Sequence, residues 1–455
     1  MTLYRLIFVA CLLVLPVISS AEVPEALLNE YGIPDSLAES ESSGENLGFV
    51  TEDELLERFH TPLQLFPLIR QEYTATGIPF FDGMEFEIAP RFYYRMVDNG
   101  DGTRSQAAAY GGSIGMKSGW LYDFLRIGLT GFMSQKLYAP DSRPGTGLLA
   151  PIQRSYTVLG EAFVDLKLWK AVVRTGRQRI SLPYINGNDS RMTPNTFEGI
   201  GLKVTEWNSL TFGAAHLTGI KPRTNSTFVP MSEAAGAPGT DEGVTLGGLH
   251  YSLGKESYVS AINEYGWDTF NTFFMSGQYY WDLNEHTSFQ VGAQFTDQRS
   301  VGQALIGDFK AQLFGLTASV GYHALIASLS FSWNPTKDPF QKPWGGTPSY
   351  NSVLISDFDG PEQKAIRVGL TYDFTDLGAK GISASTTYVY GDTTSGLNAP
   401  PDQQEFDINV DYKPEIEGFN SVWFRIRYGM LDFAGLPDSS TVHDFRIILN
   451  YSIDF

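Results

Sequence analysis

Strict alternation of apolar and polar residues recurs along the chain and constrains its fold more than any other feature. The residues between 442 and 455 that share the apolar face of an extended strand are Phe445, Ile447, Leu449, Tyr451, Ile453 and Phe455. The residues between them are mostly polar and include Asp444 and Arg446. The same period recurs in 84–96 and 420–431, where arginines again lie opposite the apolar face. A period of two predicts β-strands with two chemically different faces.

About eighteen such segments are predicted, with connections that alternate between short and long. The predicted strands are 84–96, 106–117, 121–134, 154–167, 170–180, 197–206, 209–219, 243–253, 256–266, 270–281, 285–296, 308–321, 324–333, 363–374, 380–391, 404–413, 420–431 and 442–455. The short connections are 117–120, 207–208, 253–255, 282–284 and the turn at His323; the long ones are 135–153, 181–196, 220–242, 297–307, 334–362 and 392–403. A soluble sandwich has no reason to keep this asymmetry, whereas a transmembrane antiparallel β-barrel does. We therefore predict an all-β fold of that class.

Composition agrees with a barrel that crosses a membrane with strands. Aromatic residues make up 14% of the chain, charged residues only 18%, and there are 46 glycines. No stretch after residue 21 reaches the roughly 20 apolar residues that a spanning helix needs. In a bilayer the apolar face of each strand must contact lipid, so the polar face must line an enclosed, wetted lumen.

The N-terminal 80 residues differ from the rest. Arg5, the apolar run 6–18 and the small residues 19–21 predict a secretory leader over 1–21, the run being too short for a membrane helix. Residues 22–80 predict an acidic periplasmic extension, with a segment that folds back into the barrel mouth as the alternative, and 81–455 the barrel. The single cysteine, Cys11, lies in the leader, which excludes disulfides and thiolate metal sites from the exported chain.

The formal charge of −19 argues against nucleic acid as a partner. The six histidines show no spacing typical of zinc ligands, and no cofactor is predicted. The partners expected instead are outer-membrane lipid and lipopolysaccharide, small polar solutes, and the barrel-assembly machinery through the C-terminal strand that ends in Phe455. The sequence leaves open whether barrels associate into a homo-oligomer.

Two short motifs resemble sites of other chemistry. Gly111-Gly112-Ser113-Ile114-Gly115 matches a hydrolase nucleophile pattern, but it lies within a predicted strand rather than at a turn between strand and helix. Asp98-Asn99-Gly100-Asp101-Gly102 has the oxygen ligands of a calcium loop without the later glutamate, so a tight hairpin turn is favoured. We predict that the protein is not an enzyme.

The run Asn188-Asp189-Ser190-Arg191-Met192-Thr193-Pro194-Asn195-Thr196-Phe197-Glu198-Gly199 resembles the OprD-type (Occ) family of substrate-specific outer-membrane porins. Segments 131–149, 358–374 and 446–451 resemble the same family more weakly. The resemblance implies an eighteen-stranded barrel whose loop after the fifth strand folds inward and constricts the pore. It also implies a ladder of lumenal basic residues that guides carboxylate-bearing solutes.

Carried onto this chain, the resemblance places Asn188, Asp189, Ser190 and Arg191 on the constricting loop. The candidates for the lumenal basic ladder are Arg91, Arg95, Arg126, Arg174, Arg177, Arg367, Arg425, Arg427 and Arg446. The phase of the fifth strand stays open, because Arg174 competes there with Arg177 and Arg179 for the lumen. Structural bridging to lumenal acids such as Asp444 is the alternative role for each arginine.

The function predicted from these features is passive, substrate-selective diffusion of small polar solutes through an outer-membrane porin. The solutes expected are carboxylate-bearing: organic acids, amino acids or short peptides. The alternatives are an outer-membrane barrel hydrolase, which requires a clustered serine, histidine and acid, and a non-conducting structural or adhesion barrel, which requires loops 220–242 and 334–362 to plug the mouth.

Overall fold

The computed structural model describes residues 76–207, 209–393, 401–416, 421–436 and 440–454. The predicted leader, almost all of the predicted extension and Phe455 lie outside the described residues. The first described element is one helical turn, α1 (Pro79–Asp82), whose Phe80 carbonyl accepts a 3.0 Å hydrogen bond from Gly119 N. No helix in the described part of the chain is long and apolar enough to cross a membrane.

Twenty strands occur within the described residues, and eighteen of them form the wall of a barrel. They are β1 (Glu85–Asp98), β2 (Arg104–Lys117), β3 (Leu125–Tyr138), β4 (Tyr156–Leu168), β5 (Ala171–Gln178), β6 (Thr196–Trp207), β7 (Leu210–Lys221), β8 (Val229–Pro230), β9 (Val244–Gly254), β10 (Ser257–Gly266), β11 (Phe270–Asn284), β12 (Thr287–Ser300), β13 (Lys310–Tyr322), β14 (Leu325–Trp333), β15 (Gln363–Asp373), β16 (Ile382–Thr393), β17 (Gln403–Tyr412), β18 (Val422–Phe433), β19 (Val442–Tyr451) and β20 (Ile453–Asp454). The two-residue strands β8 and β20 extend the pairing of β7 and β1. A second helical turn, α2 (Met231–Ala234), follows β8.

The wall closes on itself. Each wall strand pairs antiparallel with the next, and β19 returns to β1 with register from Arg91↔Asn450 to Asp98↔His443. Closure removes the free sheet edge that a bilayer could not solvate. The prediction of a transmembrane antiparallel barrel of about eighteen strands is confirmed.

The strand boundaries follow the sequence prediction to within four residues. Shifts of four residues occur at both ends of β3 and at the end of β12. Strand β3 was predicted to begin at residue 121 and begins at Leu125. Tyr122 and Asp123 adopt left-handed backbone conformations, with φ of 53° each, so 121–124 form part of the turn. The four longest connections, 139–155, 179–195, 222–243 and 334–362, lie at one end of the barrel, together with the tight turns 99–103 and 267–269. The other end carries connections of two to nine residues and both ends of the wall.

The two faces of the wall separate as the alternation predicts. Outward side chains such as Ile114, Leu316 and Leu329 are more than half exposed, as expected for a lipid-contacting surface. Buried side chains lie on the inner face, where they pack against loops that enter the barrel. In β19, for example, Asp444 and Arg446 are buried between more exposed apolar neighbours.

The two misleading motifs have structural roles. Ser113 lies in the middle of β2, and the neighbouring Gly112 pairs with Pro90 of β1. Gly112 has φ +114°, and a Cβ there would collide with the Ala89 carbonyl, so glycine is required by the close approach of β1. Residues 99–103 form the β1–β2 hairpin turn, closed by a 3.1 Å hydrogen bond from Asn99 N to Thr103 O.

Candidate pore constriction

The loop between β5 and β6, residues 179–195, crosses the barrel interior; we call it the constriction loop. Its first half packs against the far wall, where Tyr184 is buried against Phe274 of β11 and its hydroxyl lies 2.9 Å from Thr296 Oγ1 of β12. Its second half reaches β1, which is almost opposite β12 in the closed wall. The loop therefore crosses the interior from β11 and β12 to β1, and its predicted role as the pore constriction stays a prediction.

The tip of the constriction loop is held to β1 by a charge-assisted contact. Asp189 accepts two hydrogen bonds from Arg91, of 2.6 and 2.9 Å, and Arg91 also donates to the Arg191 carbonyl at 2.6 Å. The Tyr93 hydroxyl donates to the Ser190 carbonyl at 3.4 Å. Asn188 begins the tip in a left-handed conformation with φ +42°. The structure thus brings Arg91 together with the four predicted loop residues.

The return leg of the loop is fixed by buried polar contacts. Lys221, at the end of β7, is fully buried and donates to the Pro194 carbonyl at 2.7 Å and to Thr193 Oγ1 at 3.3 Å. The Tyr156 hydroxyl lies 2.9 Å from the same Thr193 oxygen. Asn195 accepts a 2.6 Å hydrogen bond from Arg223 N. A loop anchored at this many points holds one conformation.

A second inward loop, residues 334–362, supports the first. Asn186 and Gly346 exchange two hydrogen bonds, of 2.8 and 3.1 Å. Trp344 stacks on Phe270 of β11 at 4.7 Å between ring centroids. The other end of this loop contacts β19 through a 2.9 Å hydrogen bond from Arg446 to the Leu354 carbonyl. The constriction loop and the loop 334–362 therefore both occupy the barrel interior and contact each other there.

Two of the predicted ladder residues share one carboxylate near the constriction. Arg95 of β1 and Arg446 of β19 both contact Asp444, at 2.6 and 2.9 Å. Arg95 also donates to the Thr146 carbonyl of the loop between β3 and β4 at 2.8 Å. These arginines both face the interior and tie inward loops to the wall.

Three further candidates lie on the same side of the barrel. Arg425 contacts Asp411 at 2.5 Å, and Arg427 donates to Asn409 Oδ1 at 2.6 Å. Arg367 of β15 donates to the Tyr350 carbonyl of the second inward loop at 2.8 Å. All three are thus hydrogen-bonded within the wall or to a loop.

A second shared carboxylate resolves the phase of the fifth strand. Asp165 of β4 is fully buried and contacts Arg126 at 2.8 Å and Arg174 at 2.7 Å. Strand pairing puts Arg174 directly beside Asp165, on the inner face. Arg179, just beyond β5, lies 3.4 Å from Glu161 of β4.

Arg177 does not join this inner group. It pairs in register with Glu198, one residue from the buried inner side chain Phe197, and its guanidinium stacks over Phe228 at 4.3 Å. Because successive residues of a strand point to opposite faces, Arg177 lies on the outer face.

Arg191 and Arg223 lie together at the constriction loop and differ from the other arginines of the lumen in their partners. We call these two side chains the guanidinium site. Arg223 donates to Asn188 Oδ1 at 2.6 Å and to Ser190 Oγ, and Arg191 donates to the Ser190 carbonyl at 2.7 Å. Within the described part of the chain, neither makes an ion pair with a carboxylate. Burial, with the nearby positive charges of Arg95 and Arg446, lowers the pKa of Arg223 to about 10 and that of Arg191 well below its usual value.

The sequence reasoning missed Arg223. The predicted basic residues lie on the alternating strands and in the loop residues 188–191, whereas Arg223 lies in the loop after β7. One sequence feature pointed to Arg223: the run Lys221-Pro222-Arg223 places two basic residues at the start of the predicted long connection 220–242. No group of three or more histidine, cysteine, aspartate or glutamate side chains among the described residues is arranged to hold a metal ion.

The profile of the family described as "outer membrane porin, OprD family" matches residues 79–455. The chain belongs to the OprD family of outer-membrane porins. The resemblance inferred from residues 188–199 is thereby confirmed. As an OprD-family porin, the protein resides in the outer membrane. Barrels of this class turn the end that carries the long loops toward the exterior.

Curated and solved relatives of this OprD-family porin agree with its fold. Porin D of Pseudomonas aeruginosa is 22% identical over 407 residues, which cover 82% of this chain and 91% of the relative. The crystal structure of OccK9 (OpdG) from the same species has a TM-score of 0.75 at 22% identity, over 83% of this chain and all of the other. The crystal structure of a BenF-like porin from Pseudomonas fluorescens Pf-5 has a TM-score of 0.76 at 18% sequence identity. That of Pseudomonas aeruginosa OpdK with vanillate has a TM-score of 0.72 at 16% identity, and both cover the same shares of the two chains.

Proposed function

We propose that this substrate-specific porin passes small carboxylate-bearing solutes by passive diffusion and that the guanidinium site selects them. The observation that carries the proposal is that Arg191 and Arg223 both contact Ser190 at the tip of the constriction loop, and neither makes an ion pair with a carboxylate in the described part of the chain. The positive charges of Arg95 and Arg446 lie close enough to depress the pKa of both. An anion bound there relieves this repulsion.

Guanidinium chemistry suits this role. Arginine stays charged and binds carboxylates with two parallel hydrogen bonds, which distinguishes them from neutral solutes of the same size. A charge-assisted hydrogen bond contributes about 1.5–3 kcal/mol, and the loss of translational freedom offsets much of two such bonds. The remaining binding free energy is below the roughly 4 kcal/mol of millimolar affinity, so the site admits a solute without retaining it.

The paired arginines of the wall give a second level of attraction. Arg126 and Arg174 share the single carboxylate of Asp165, so this group keeps a net positive charge. It lies on β3 to β5, nearer the periplasmic end than the constriction loop. We infer a sequence of positive positions along the lumen, in which the guanidinium site precedes the shared-carboxylate group. Vanillate, named with the related OpdK, is itself a carboxylate, which supports this solute class.

Ion selectivity in planar bilayers tests the proposal. The reversal potential across a salt gradient should show anion preference in the wild-type channel. We expect the double variant Arg191→Ala, Arg223→Ala to lose most of it and to admit benzoate several times more slowly in liposome swelling. Arg191→Lys with Arg223→Lys should keep the ionic preference but lose part of the carboxylate preference, because lysine binds as a point charge.

Arg104→Ala is the matched control, since Arg104 makes an exposed ion pair with Asp98 at the outer end of the first hairpin. It should leave both readouts unchanged. Unaltered anion preference in the double alanine variant would contradict the assignment of the guanidinium site. Absence of stepwise openings from the purified wild-type protein would contradict the channel function itself.

A further inference from the structure

The outer surface of the barrel carries an open cleft of about 580 Å³ near its extracellular end, lined by five polar residues and two phenylalanines. It lies across β10 to β13 and includes the side chains of Asn263, Asn271, Asp297 and Gln312. These residues alternate with inner side chains such as Glu264, which is buried. The cleft therefore opens away from the lumen, and we call it the outer cleft.

Strand register fixes the level of the outer cleft on the wall. Asn263, Phe273, Asp297 and Gln312 pair directly from strand to strand and form one row. Arg299 belongs to the next row toward the extracellular loops. Toward the membrane centre, the successive rows of paired outward residues on these strands become more apolar.

The next row toward the membrane centre is aromatic. Phe295 and Phe314 pair across β12 and β13 with ring centroids 4.8 Å apart, and Trp333 of β14 lies 5.8 Å from Phe314. Exposed Leu316 and Leu329 lie deeper still. Aromatic girdles mark the boundary between hydrocarbon and head groups in barrels of this kind. The outer cleft is thus at the level of the head groups of the outer leaflet.

The polar groups of the outer cleft are held in place by one another. Asp297 contacts Arg299 at 2.6 Å and accepts a 2.6 Å hydrogen bond from Gln312. Asn263 and Asn271 exchange reciprocal amide hydrogen bonds of 2.8 and 3.0 Å. Each amide keeps a further donor hydrogen and acceptor lone pair for another molecule.

The side chains of the outer cleft have the functional groups that bind a sugar. Side-chain amides and a carboxylate offer donors and acceptors for adjacent hydroxyl groups, and the rings of Phe273 and Phe295 offer apolar faces for the C–H side of a pyranose. The Arg299 side chain is 55% exposed, so its free edge can bind a phosphate oxygen. The apolar rows beneath match acyl chains.

We propose that the outer cleft binds the phosphorylated sugar head group of lipopolysaccharide, with its acyl chains lying over the aromatic row. This inference is independent of the solute that the lumen selects. Polar side chains at head-group depth can bind sugar and phosphate groups, and the aromatic and apolar rows beneath them can contact acyl chains. Lipopolysaccharide supplies these three groups in one molecule.

Binding is measured on the detergent-purified full-length porin by native mass spectrometry with added rough lipopolysaccharide. We expect the wild type to retain one tightly bound molecule and the variant Asn263→Leu, Arg299→Gln to bind at least tenfold more weakly. The single variant Arg299→Gln gives a milder second measurement if the double variant folds poorly. The matched control is Gln404→Leu, an exposed outward amide on β17 at a similar level.

Three results would overturn the proposal. One is equal affinity of the double variant and the wild type. Another is equally tight binding of a free core oligosaccharide without acyl chains, which would make the cleft a site for soluble sugar. The third is loss of a homo-oligomer in the variant, with unchanged lipopolysaccharide binding, which would identify a second copy of the chain as the occupant.

Discussion

At the scale of single residues, the lumenal arginines make the structural bridges that the sequence presents as one of two alternatives. Arg91 holds the tip of the constriction loop through Asp189, and Arg446 holds the second inward loop through the Leu354 carbonyl. Both remain positive charges that face the interior. We propose that structural bridging does not exclude the attraction of solutes, because a hydrogen-bonded guanidinium keeps its positive charge.

Asp165 offers a test of this view. In Asp165→Asn, two guanidiniums lose a buried carboxylate that both contact, so we expect the free energy of unfolding to fall by about 2–3 kcal/mol. This lies below the ~3–5 kcal/mol of a fully buried pair, because Arg126 and Arg174 keep 25% and 29% of their side-chain surface in water. Denaturant unfolding followed by tryptophan fluorescence measures the change.

Asp123→Asn provides the control for this variant. Asp123 contacts Lys167 but is 75% exposed, so its loss should cost less than about 1 kcal/mol. Similar effects of the two substitutions would mean that Asp165 contributes no more than a surface ion pair.

At the scale of elements, the sequence predicts the wall strands well and the contacts of the loops poorly. Alternation is a local property, so each strand could be read from its own residues, and only turn geometry shifted β3. Asp165 was not foreseen as the shared partner of Arg126 and Arg174, because register between strands is not visible in either strand alone. Arg223 was missed for a related reason, since its role depends on where Asn188 lies.

The return leg of the constriction loop yields a prediction at this scale. Lys221→Met keeps the buried volume but removes the donor to the Pro194 and Pro222 carbonyls. Unsatisfied buried acceptors cost about 1–3 kcal/mol, so we expect the loop to populate displaced conformations. Single-channel recordings should then show greater current noise, and protease should cleave within residues 179–195 more rapidly.

Lys364→Met controls for the loss of a positive charge, because Lys364 is exposed on β15 between the buried inner side chains Gln363 and Ala365 and therefore points out of the barrel. A quiet channel with normal protease resistance in Lys221→Met would show that the other anchors suffice to fix the loop.

At the scale of the whole molecule, an acidic chain surrounds a positively charged constriction. The formal charge of −19 repels anions from a distance, whereas in the selection that we propose the guanidinium site acts at contact. The repulsion by the net charge acts over a longer range than the contact with the guanidinium site. Raising the salt concentration therefore weakens the two effects to different degrees. The screening length is about 10 Å at 0.1 M salt and about 3 Å at 1 M, which removes the long-range term first.

The anion preference of the channel should therefore rise, rather than fall, as mean salt increases from about 0.05 to 1 M at a fixed concentration ratio. Reversal potentials measure this directly. The variant Arg191→Ala, Arg223→Ala should start from cation preference at low salt and approach no preference at high salt, because only the long-range acidic field remains to be screened. An anion preference that declines with salt in the wild type would instead assign selectivity to a diffuse positive field along the wall, and contact at the constriction would not be needed to explain it.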